Sequence, residues 1–409
     1  MRRRGTYGGR IGLMPRGAMQ LILAAAGSLF LLPLIWMLAT SLKPLDQTMS
    51  LPPSWIPRAT MATLDGERVV AVKRRRIDQP SMLVIQRGGV DVDQRKLLPE
   101  SAIADGMART TFTRAGREQP EPAPVAVDIV KPVPAGWWLV EEWTPDYSSA
   151  EKGSARALRW DCVPPEDLEA VPHAFWQNYP SALARMDRTG ARAWGVSGFY
   201  AYLFNTLWVC TLSVVGSVLS CTLVAYAFAF LEFPGRGWLF GLTLAVMMVP
   251  FPATMVPLFD LFRDLGWVGT FKPLWAPAWF GGAFFIFLLR QFFLGLPKDL
   301  LDAARIDGCS ELQVLWHVVV PLARPALGMV ALFQFLGSWK DFMGPLLYLN
   351  DSSQFTLSLG LQAFQSQHGG TPWHLSMAAS LLFSLPLIVL FLVARKMFVQ
   401  GIAMTGIKG

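Results

Sequence analysis

The chain has 409 residues, of which 53% are hydrophobic and only 16% are charged. Its mean hydropathy of +0.37 lies far from that of a soluble enzyme of this length, so the composition indicates an integral membrane protein. The net charge of +7 does not indicate nucleic-acid binding, because the sequence has no recognition helix or RNA-binding signature and its basic residues border apolar runs. We therefore expect contact with membrane lipid and no nucleic-acid partner.

Six apolar runs are long enough to cross a bilayer, which takes about 20 residues. They cover Met19–Ser41, Thr206–Phe230, Trp238–Phe262, Trp275–Leu294, Pro325–Leu349 and Leu375–Val399. The sequence therefore predicts an all-α membrane protein with six transmembrane helices. Pro250, Pro252 and Pro257 interrupt the third run, so we expect that helix to bend, either as a gate or as a packing kink.

Basic residues in the short loops indicate the orientation of the spans. Most of the arginines and lysines near the spans fall on one side, whereas the opposite short loops offer only Arg263 and Lys272. Because cytoplasmic loops are enriched in basic residues, we predict a multi-pass protein of the cell (inner or cytoplasmic) membrane with both termini in the cytoplasm. The basic N-terminus does not indicate a signal peptide, because the apolar run that follows is too long.

Residues 59–170, between the first two runs, have the composition of a soluble domain where a short loop would suffice. Val-, Ile- and Trp-rich segments at Arg68–Lys73, Met82–Gln86 and Trp137–Glu142 are typical of strands, and we expect the Pro-rich run from Pro120 to Pro134 to interrupt them. We predict an inserted small β-rich extracytoplasmic domain.

The basic cluster Lys73–Arg76 in this insert has three interpretations. It could contact a binding protein or lipid headgroups, or it could be a solvated strand end. Long translocated domains do not follow the loop-charge rule, so this basic cluster leaves the predicted orientation unchanged.

Residues 1–58, before the insert, are predicted to hold the cytoplasmic N-terminus and the first transmembrane helix.

The segment Leu296–Pro321 is polar and helix-forming, although apolar runs flank it. Pro297 suits the first position of a helix, Asp302 faces Arg305 three residues on, and Gly308 ends the helix. We expect Gly308 to adopt a left-handed backbone.

A second helix is predicted directly after this glycine. Ser310 and Gln313 have the spacing of a capping box, and Pro321 is expected to stop the helix. The residues expected to share one apolar face are Leu312, Leu315, Trp316 and Val319. The result is a short helix–turn–helix outside the bilayer, and the alternative is an interfacial hairpin with no partner.

This segment resembles the signature loop of binding-protein-dependent ABC importer permeases. In that loop an acidic residue, two alanines, three variable residues and a glycine precede an aliphatic-x-aliphatic-Pro ending. The matching residues are Asp302, Ala303, Ala304, Gly308, Val318, Val320 and Pro321. Asp replaces the usual Glu, and valines replace Ile and Leu. The resemblance implies a coupling helix that docks into a cytoplasmic ATPase subunit through Asp302, Ala303, Ala304, Asp307, Gly308 and Pro321.

Other segments resemble the carbohydrate (maltose-type) class of these permeases. They are Leu51–Pro57, Trp176–Tyr179 and the tail Phe398–Gly409. The resemblance implies import of a sugar or oligosaccharide delivered by an extracytoplasmic solute-binding protein, together with a second permease subunit and two ATP-binding subunits. It also implies a permease core at 171–409, with five transmembrane helices and the coupling loop at 296–321.

In this class the tail approaches the ATPase, which implies that role for Gly401, Gly406 and Gly409. An ABC importer permease for a non-sugar solute, such as a polyamine or glycerol phosphate, is the alternative within the family.

Polar residues in the fifth run are candidates for the translocation path, because polar side chains at membrane depth usually face an interior cavity. The candidates are Gln334, Trp339, Lys340 and Asp341, and related permeases line the path with this stretch. Trp339 and Lys340 could instead only anchor the helix near the outer interface.

Several kinds of chemistry have no motif in the sequence. The chain has no Gly-x-x-x-x-Gly-Lys-Ser/Thr phosphate loop, so ATP hydrolysis is assigned to partner subunits and the chain is predicted not to be an enzyme, with no catalytic residue and no cofactor. The four histidines are scattered, so no metal site is predicted. Of the four cysteines only Cys162 falls in the insert, which leaves it no internal disulfide.

Three other functions compete with transport by an ABC permease. A secondary transporter is disfavoured because neither inverted repeats nor a coupling-ion site is evident. A membrane enzyme is disfavoured because no catalytic constellation is present. A membrane-tethered sensor could use the insert as its ligand domain, but it would not require the coupling loop.

Overall fold

The structure is a computed structural model that describes residues 16–50, 53–87, 95–110, 123–143, 159–189, 196, 198–365 and 371–405. The chain forms two compact units. One consists of Met1–Ser181 with Pro372–Ala378, and the other of Ala182–Thr371 with Ala379–Gly409.

The first unit contains an apolar helix, α1 (Arg16–Ser41), a short helix, α2 (Leu45–Thr48), and a β-rich domain. The strands are β1 (Arg58–Leu64), β2 (Glu67–Arg76), β3 (Ser81–Gln86), β4 (Arg95–Pro99), β5 (Ile103–Ala104), β6 (Met107–Thr110), β7 (Ala123–Val133), β8 (Trp138–Glu142), β9 (Trp160–Val163) and β10 (Glu169–Pro172). They form two five-stranded sheets, in the orders β10-β1-β2-β8-β9 and β4-β3-β7-β6-β5. Each pairing within these sheets is antiparallel.

The three strands predicted in the insert are confirmed as parts of β2, β3 and β8. The expectation that the Pro-rich run interrupts the strands is wrong, because Ala123–Val133 forms the long strand β7. Pro124 is paired with β6 and Pro132 with β3. Each proline thus lies where β7 has one paired neighbour, and a missing N–H is tolerated at such an edge.

The basic cluster of β2 is partnered by the neighbouring strand. Arg74 forms an ion pair with Glu141 of β8 at 2.5 Å, and the ammonium of Lys73 lies 5.5 Å from the ring centroid of Trp138. The cluster is exposed on the sheet surface. Arg74 and Lys73 thus have partners within the sheet, and the role of the cluster stays a prediction.

The second unit is helical and is built around α4. The helices after the sheets are α3 (Asn178–Thr189), α4 (Gly198–Phe230), α5 (Arg236–Val246), α6 (Phe251–Asp264), α7 (Lys272–Trp275), α8 (Ala283–Leu294), α9 (Lys298–Ile306), α10 (Glu311–Val314), α11 (Val320–Leu322), α12 (Arg324–Lys340), α13 (Met343–Tyr348), α14 (Leu357–Gly360) and α15 (Trp373–Thr405). Ser213, Gly216 and Ala225 are buried on α4. Such small side chains let α8 and α12 pack closely against it.

Side chains of α4 hold the break that precedes α8. Ser220 donates a hydrogen bond to the carbonyl of Ala278 at 3.1 Å, and the sulfur of Cys221 accepts one from the N–H of Gly282 at 3.3 Å. Trp279 packs so closely on Gly216 that a β-carbon there would overlap its indole ring. Backbone groups that a helix break frees at membrane depth need such partners.

The apolar runs form fewer continuous helices than expected. In the described part of the chain, four helical segments are long and apolar enough to cross a membrane: Met19–Ser41, Gly198–Phe230, Lys272–Leu294, which contains the break before α8, and Trp373–Ala394. Two further spans are possible only as bent pairs: α5 with α6, at 99°, and Glu311–Leu322 with α12, at 81°. The count is therefore four to six, and six spans stay a prediction.

The third and fifth runs, each predicted as one span, are broken in the structure. The third run breaks before Phe251, and the prolines there agree with the expected bend. The fifth run ends as a helix at Lys340, and Asp341 is extended. Lys340 and Asp341 thus lie at a helix terminus and not within a continuous span, which corrects their predicted placement.

Candidate coupling site

The polar segment forms a helical hairpin, as predicted. Its first helix, α9, begins at Lys298, directly after Pro297 at the N-cap position. Asp299 lies in the first turn, where its negative charge interacts favourably with the helix dipole. Leu301 is buried and anchors α9 to the core of the second unit. Arg305 forms the expected ion pair with Asp302 at 3.1 Å.

The turn after α9 is a left-handed cap centred on Gly308. Gly308 has a φ of +83°, which confirms the predicted backbone conformation. Its N–H donates to the carbonyl of Arg305, and the N–H of Cys309 donates to that of Ala304, each at 3.0 Å. These two bonds make up a Schellman motif, which satisfies carbonyls at the end of α9.

The predicted capping box opens the second helix. The side-chain oxygen of Gln313 accepts a hydrogen bond from the N–H of Ser310 at 2.8 Å, and the reciprocal bond of the box is present. The helix then widens into a π segment over Leu315–Val319.

Pro321 does not stop this helix, contrary to the prediction. It lies within α11, which continues to Leu322 after the π segment. A proline normally clashes with the carbonyl four residues before it, and the wider π turn offers the ring more room. The helix ends at Ala323, and the 81° bend follows.

The predicted shared apolar face is also wrong. Leu315 and Val319 are buried, whereas Leu312 is 62% exposed and Trp316 is 44% exposed. Leu312 and Trp316, four residues apart, share the exposed side of the helix, and Leu315 and Val319, also four residues apart, share the buried side. Across the turn, Ile306 is 86% exposed. We call Ile306, Leu312 and Trp316 the apolar ridge.

The other signature residues lie on the same two helices and the turn between them. Asp302, Ala303 and Asp307 are exposed, and Ala304 packs against the helical core. Pro321 lies at the far end of the second helix. The structure therefore brings five of the six predicted coupling residues together around Gly308.

A polar cluster that no sequence motif predicts links the two helices of the hairpin to α4. The carboxylate of Glu311 accepts hydrogen bonds from the guanidinium of Arg305, at 2.9 Å from Nε and 3.3 Å from Nη2, and from the hydroxyl of Tyr226 on α4. The hydrogen bonds that Arg305 donates to Glu311 raise the pKa of Arg305 above its ordinary value, so the guanidinium stays charged. Tyr226 lies 85 residues from Glu311 along the chain, and no local pattern connects the two.

The four path candidates occupy different environments. Trp339 is fully buried, stacks on Phe335 with centroids 5.4 Å apart, and donates from its indole nitrogen to the carbonyl of Phe383 at 3.2 Å. Gln334 is half-buried and donates to Ser338 at 3.1 Å. These contacts give Trp339 a packing role between α12 and α15.

The remaining two candidates lie at the end of α12. Lys340 is exposed, and the carboxylate of Asp341 accepts a hydrogen bond from the N–H of Gly344 at 3.1 Å. Their role in a path stays a prediction. Of the tail glycines, Gly401 lies in α15, whereas Gly406 and Gly409 lie outside the described residues.

Comparison with known proteins gives matches over the second half of the chain. The family model described as "Binding-protein-dependent transport system inner membrane component" matches residues 197–404. The arabinooligosaccharides transport system permease protein AraQ of Halalkalibacterium halodurans is 36% identical over 211 residues, which are 52% of this chain and 75% of that protein.

Two further relatives carry other transport names. The trehalose/maltose transport system permease protein MalG of Thermococcus litoralis is 36% identical over 213 residues, covering 52% of this chain and 76% of its own. The sn-glycerol-3-phosphate transport system permease protein UgpE of Yersinia enterocolitica is 31% identical over 205 residues, which are 50% of this chain and 73% of that protein. A crystal structure of a bacterial ABC transporter involved in import of the acidic polysaccharide alginate is 23% identical, with a TM-score of 0.47, and covers 57% of this chain and 81% of that one.

Proposed function

The chain belongs to the binding-protein-dependent transport system inner membrane components, and from that premise we propose that it is the transmembrane permease subunit of an ATP-driven ABC importer. Proteins of this family are transport subunits and not catalytic enzymes. The apolar helices of the chain support its location in the membrane.

The observation that carries the coupling role is the apolar ridge. Ile306, Leu312 and Trp316 are exposed on a hairpin whose turn is fixed by Gly308 and whose inner side is packed. Exposed apolar side chains with polar neighbours such as Asp302 mark a surface that fits a protein groove. The proposed occupant of that groove is a cytoplasmic ATPase subunit.

The partner subunits follow from the same premise. The chain would pair with a second permease subunit and two ATP-binding subunits, and an extracytoplasmic solute-binding protein would deliver the solute. The sequence has no phosphate loop of its own, which supports ATP hydrolysis by the partners. Their groove would receive the hairpin at 296–321, and the C-terminal tail would approach the same interface.

The proposed solute is a sugar or oligosaccharide. The names of two relatives, AraQ and MalG, refer to arabinooligosaccharides and to trehalose and maltose, and both are 36% identical to this chain. The alternative is a non-sugar solute, and the glycerol-phosphate permease UgpE, at 31% identity, is the relative that represents it.

The proposed topology has six spans and both termini in the cytoplasm, as the basic loops favour. The insert at 59–170 then lies outside the cell, between the part at 1–58 and the permease core at 171–409. Gln334, Lys340 and Asp341 remain proposed contributors to the translocation path, whereas the contacts of Trp339 favour packing.

Reconstitution tests this function. The isolated chain in proteoliposomes should hydrolyse no ATP, whereas the full assembly with its partner subunits and binding protein should hydrolyse ATP and accumulate radiolabelled oligosaccharide. Robust hydrolysis by the isolated chain would overturn the proposal. Accumulation of glycerol phosphate that oligosaccharides do not inhibit would favour the alternative solute class.

A further inference from the structure

The carboxylate of Glu311 lies where three helices meet. Glu311 is the first residue of α10, Arg305 belongs to α9, and Tyr226 belongs to the long helix α4. Arg305 donates to both carboxylate oxygens, and Tyr226 donates to one of them. A single carboxylate thus joins both helices of the hairpin to the centre of the helical unit.

This cluster is buried on one side only: the side chains of Arg305 and Glu311 are 35% and 43% exposed, and the buried partner is Tyr226. Tyr226 is only 4% exposed, and its neighbours in the core include Leu301 of α9 and Leu315 of the π segment. Exposed ion pairs contribute little to stability, whereas hydrogen bonds from a buried donor to a charged acceptor are stronger and fix geometry. Glu311 also lies in the first turn of its helix, where the dipole favours a carboxylate.

The position of the cluster matters mechanically. The apolar ridge has residues on both sides of the turn, and its last residue, Trp316, lies within the π segment Leu315–Val319, which leads to the 81° bend. A π segment is a weak point in a helix and is frequent at functional sites. Without a second attachment, a force on the ridge would be absorbed at this segment.

We propose that Tyr226, Arg305 and Glu311 form a latch that holds the hairpin rigidly to α4, so that movement of the docked ATPase is passed to α4. This inference rests on the docking role of the ridge proposed above. The three residues are positioning residues, because they act through the hairpin and touch neither solute nor nucleotide.

The test uses the complete reconstituted transporter and measures solute transported per ATP hydrolysed. Tyr226→Phe removes only the hydroxyl, so ATPase association and hydrolysis should persist while transport per ATP falls about tenfold, the order expected for one hydrogen bond to a charged group. Tyr348→Phe is the matched control, because Tyr348 is also 4% exposed and lies in the same unit, on α13. It should leave the ratio unchanged.

A double variant separates a latch from general destabilisation. If the two groups act through one hydrogen bond, Tyr226→Phe combined with Glu311→Ala should be no worse than Glu311→Ala alone, because alanine has no acceptor for the Tyr226 hydroxyl. The latch would be overturned if Tyr226→Phe left the transport per ATP unchanged. It would also be overturned if the fold-losses of transport per ATP in the two single variants multiplied in the double variant. If Tyr226→Phe does not accumulate, Arg305→Lys serves instead, since it keeps the charge but loses the fork geometry, and a normal ratio there overturns the latch equally.

The latch and the docking role fail in different ways. Loss of transport in Gly308→Val with a normal ratio in Tyr226→Phe would refute the latch alone. Normal ATPase association and transport in Gly308→Val would refute the docking role on which the latch depends.

Discussion

Gly308 adopts a conformation that limits which residue can replace it, although space around it is open. A β-carbon there would meet no atom within 4 Å, so the cost of a substitution comes from the φ of +83°. A left-handed backbone costs an L-residue roughly 1–2 kcal/mol, and more for a β-branched one. The turn orients Ile306 relative to Leu312, so strain there should alter the apolar ridge before it affects the spans.

We therefore predict that Gly308→Val loses uptake and ATPase association while its membrane abundance stays near normal. Uptake assays, co-purification of the ATPase and quantitative blotting measure these three quantities. Gly308→Asn should be milder, because asparagine tolerates the left-handed region. Gly237→Val is the position control, since Gly237 also has open space but lacks a positive φ. Full transport by Gly308→Val with the ATPase bound would contradict the coupling role.

Features within one helical turn could be predicted from the sequence, and features joined by the fold could not. The Asp302–Arg305 pair, the Gly308 cap and the Ser310–Gln313 box each depend on residues three or fewer positions apart or on one glycine, and all three are present. The Tyr226–Glu311 bond joins residues 85 positions apart, and only tertiary packing creates it.

At the scale of whole elements, two predictions drawn from apolar composition are wrong. The composition predicts one shared apolar face in the second helix of the hairpin, whereas the fold buries Leu315 and Val319 and exposes Leu312 and Trp316. Continuous apolar composition likewise predicts a continuous helix, and it does not report the break at Asp341. Hydropathy records what a segment is buried in and not how its backbone hydrogen bonds are arranged.

The packing of α4 against the broken segment before α8 gives a testable prediction. Gly216→Ala places a methyl group in the indole ring of Trp279, and overpacking of this kind costs about 1–3 kcal/mol of unfolding free energy. We expect a lower Tm of the purified protein in detergent, and partial recovery when Trp279→Leu is added. The control is Gly241→Ala on α5, where a β-carbon meets nothing. An unchanged Tm in Gly216→Ala would show that the indole moves freely.

At the scale of the whole molecule, composition was sufficient to predict a membrane protein with an inserted β-rich domain. Orientation rests on loop charge alone, and cysteine labelling tests it. Cys309 is half-buried in the coupling turn, whereas Cys162, Cys210 and Cys221 are buried. Burial raises the pKa of Cys162 to about 11, so its thiol stays protonated and should not compete for a thiol reagent at neutral pH.

We predict that an impermeant maleimide labels Ser101→Cys from outside the cell when Cys309 is replaced by Ser. Ser101 is exposed at the surface of the β-rich domain. Native Cys309 should react only after the membrane is opened. The reverse pattern would invert the topology and place the hairpin away from any cytoplasmic ATPase.

The pairing of the first and last strands of the β-rich domain has a consequence for how such a chain could arise. Arg58 of β1 lies opposite Pro172 of β10, so the polypeptide enters and leaves the domain at neighbouring points, about 5 Å apart as in any antiparallel ladder. A module with adjoining ends can be gained or lost in one genetic event without stretching the connection between the flanking segments. The adjoining ends of the domain therefore place no demand on the spacing of the segments that flank it.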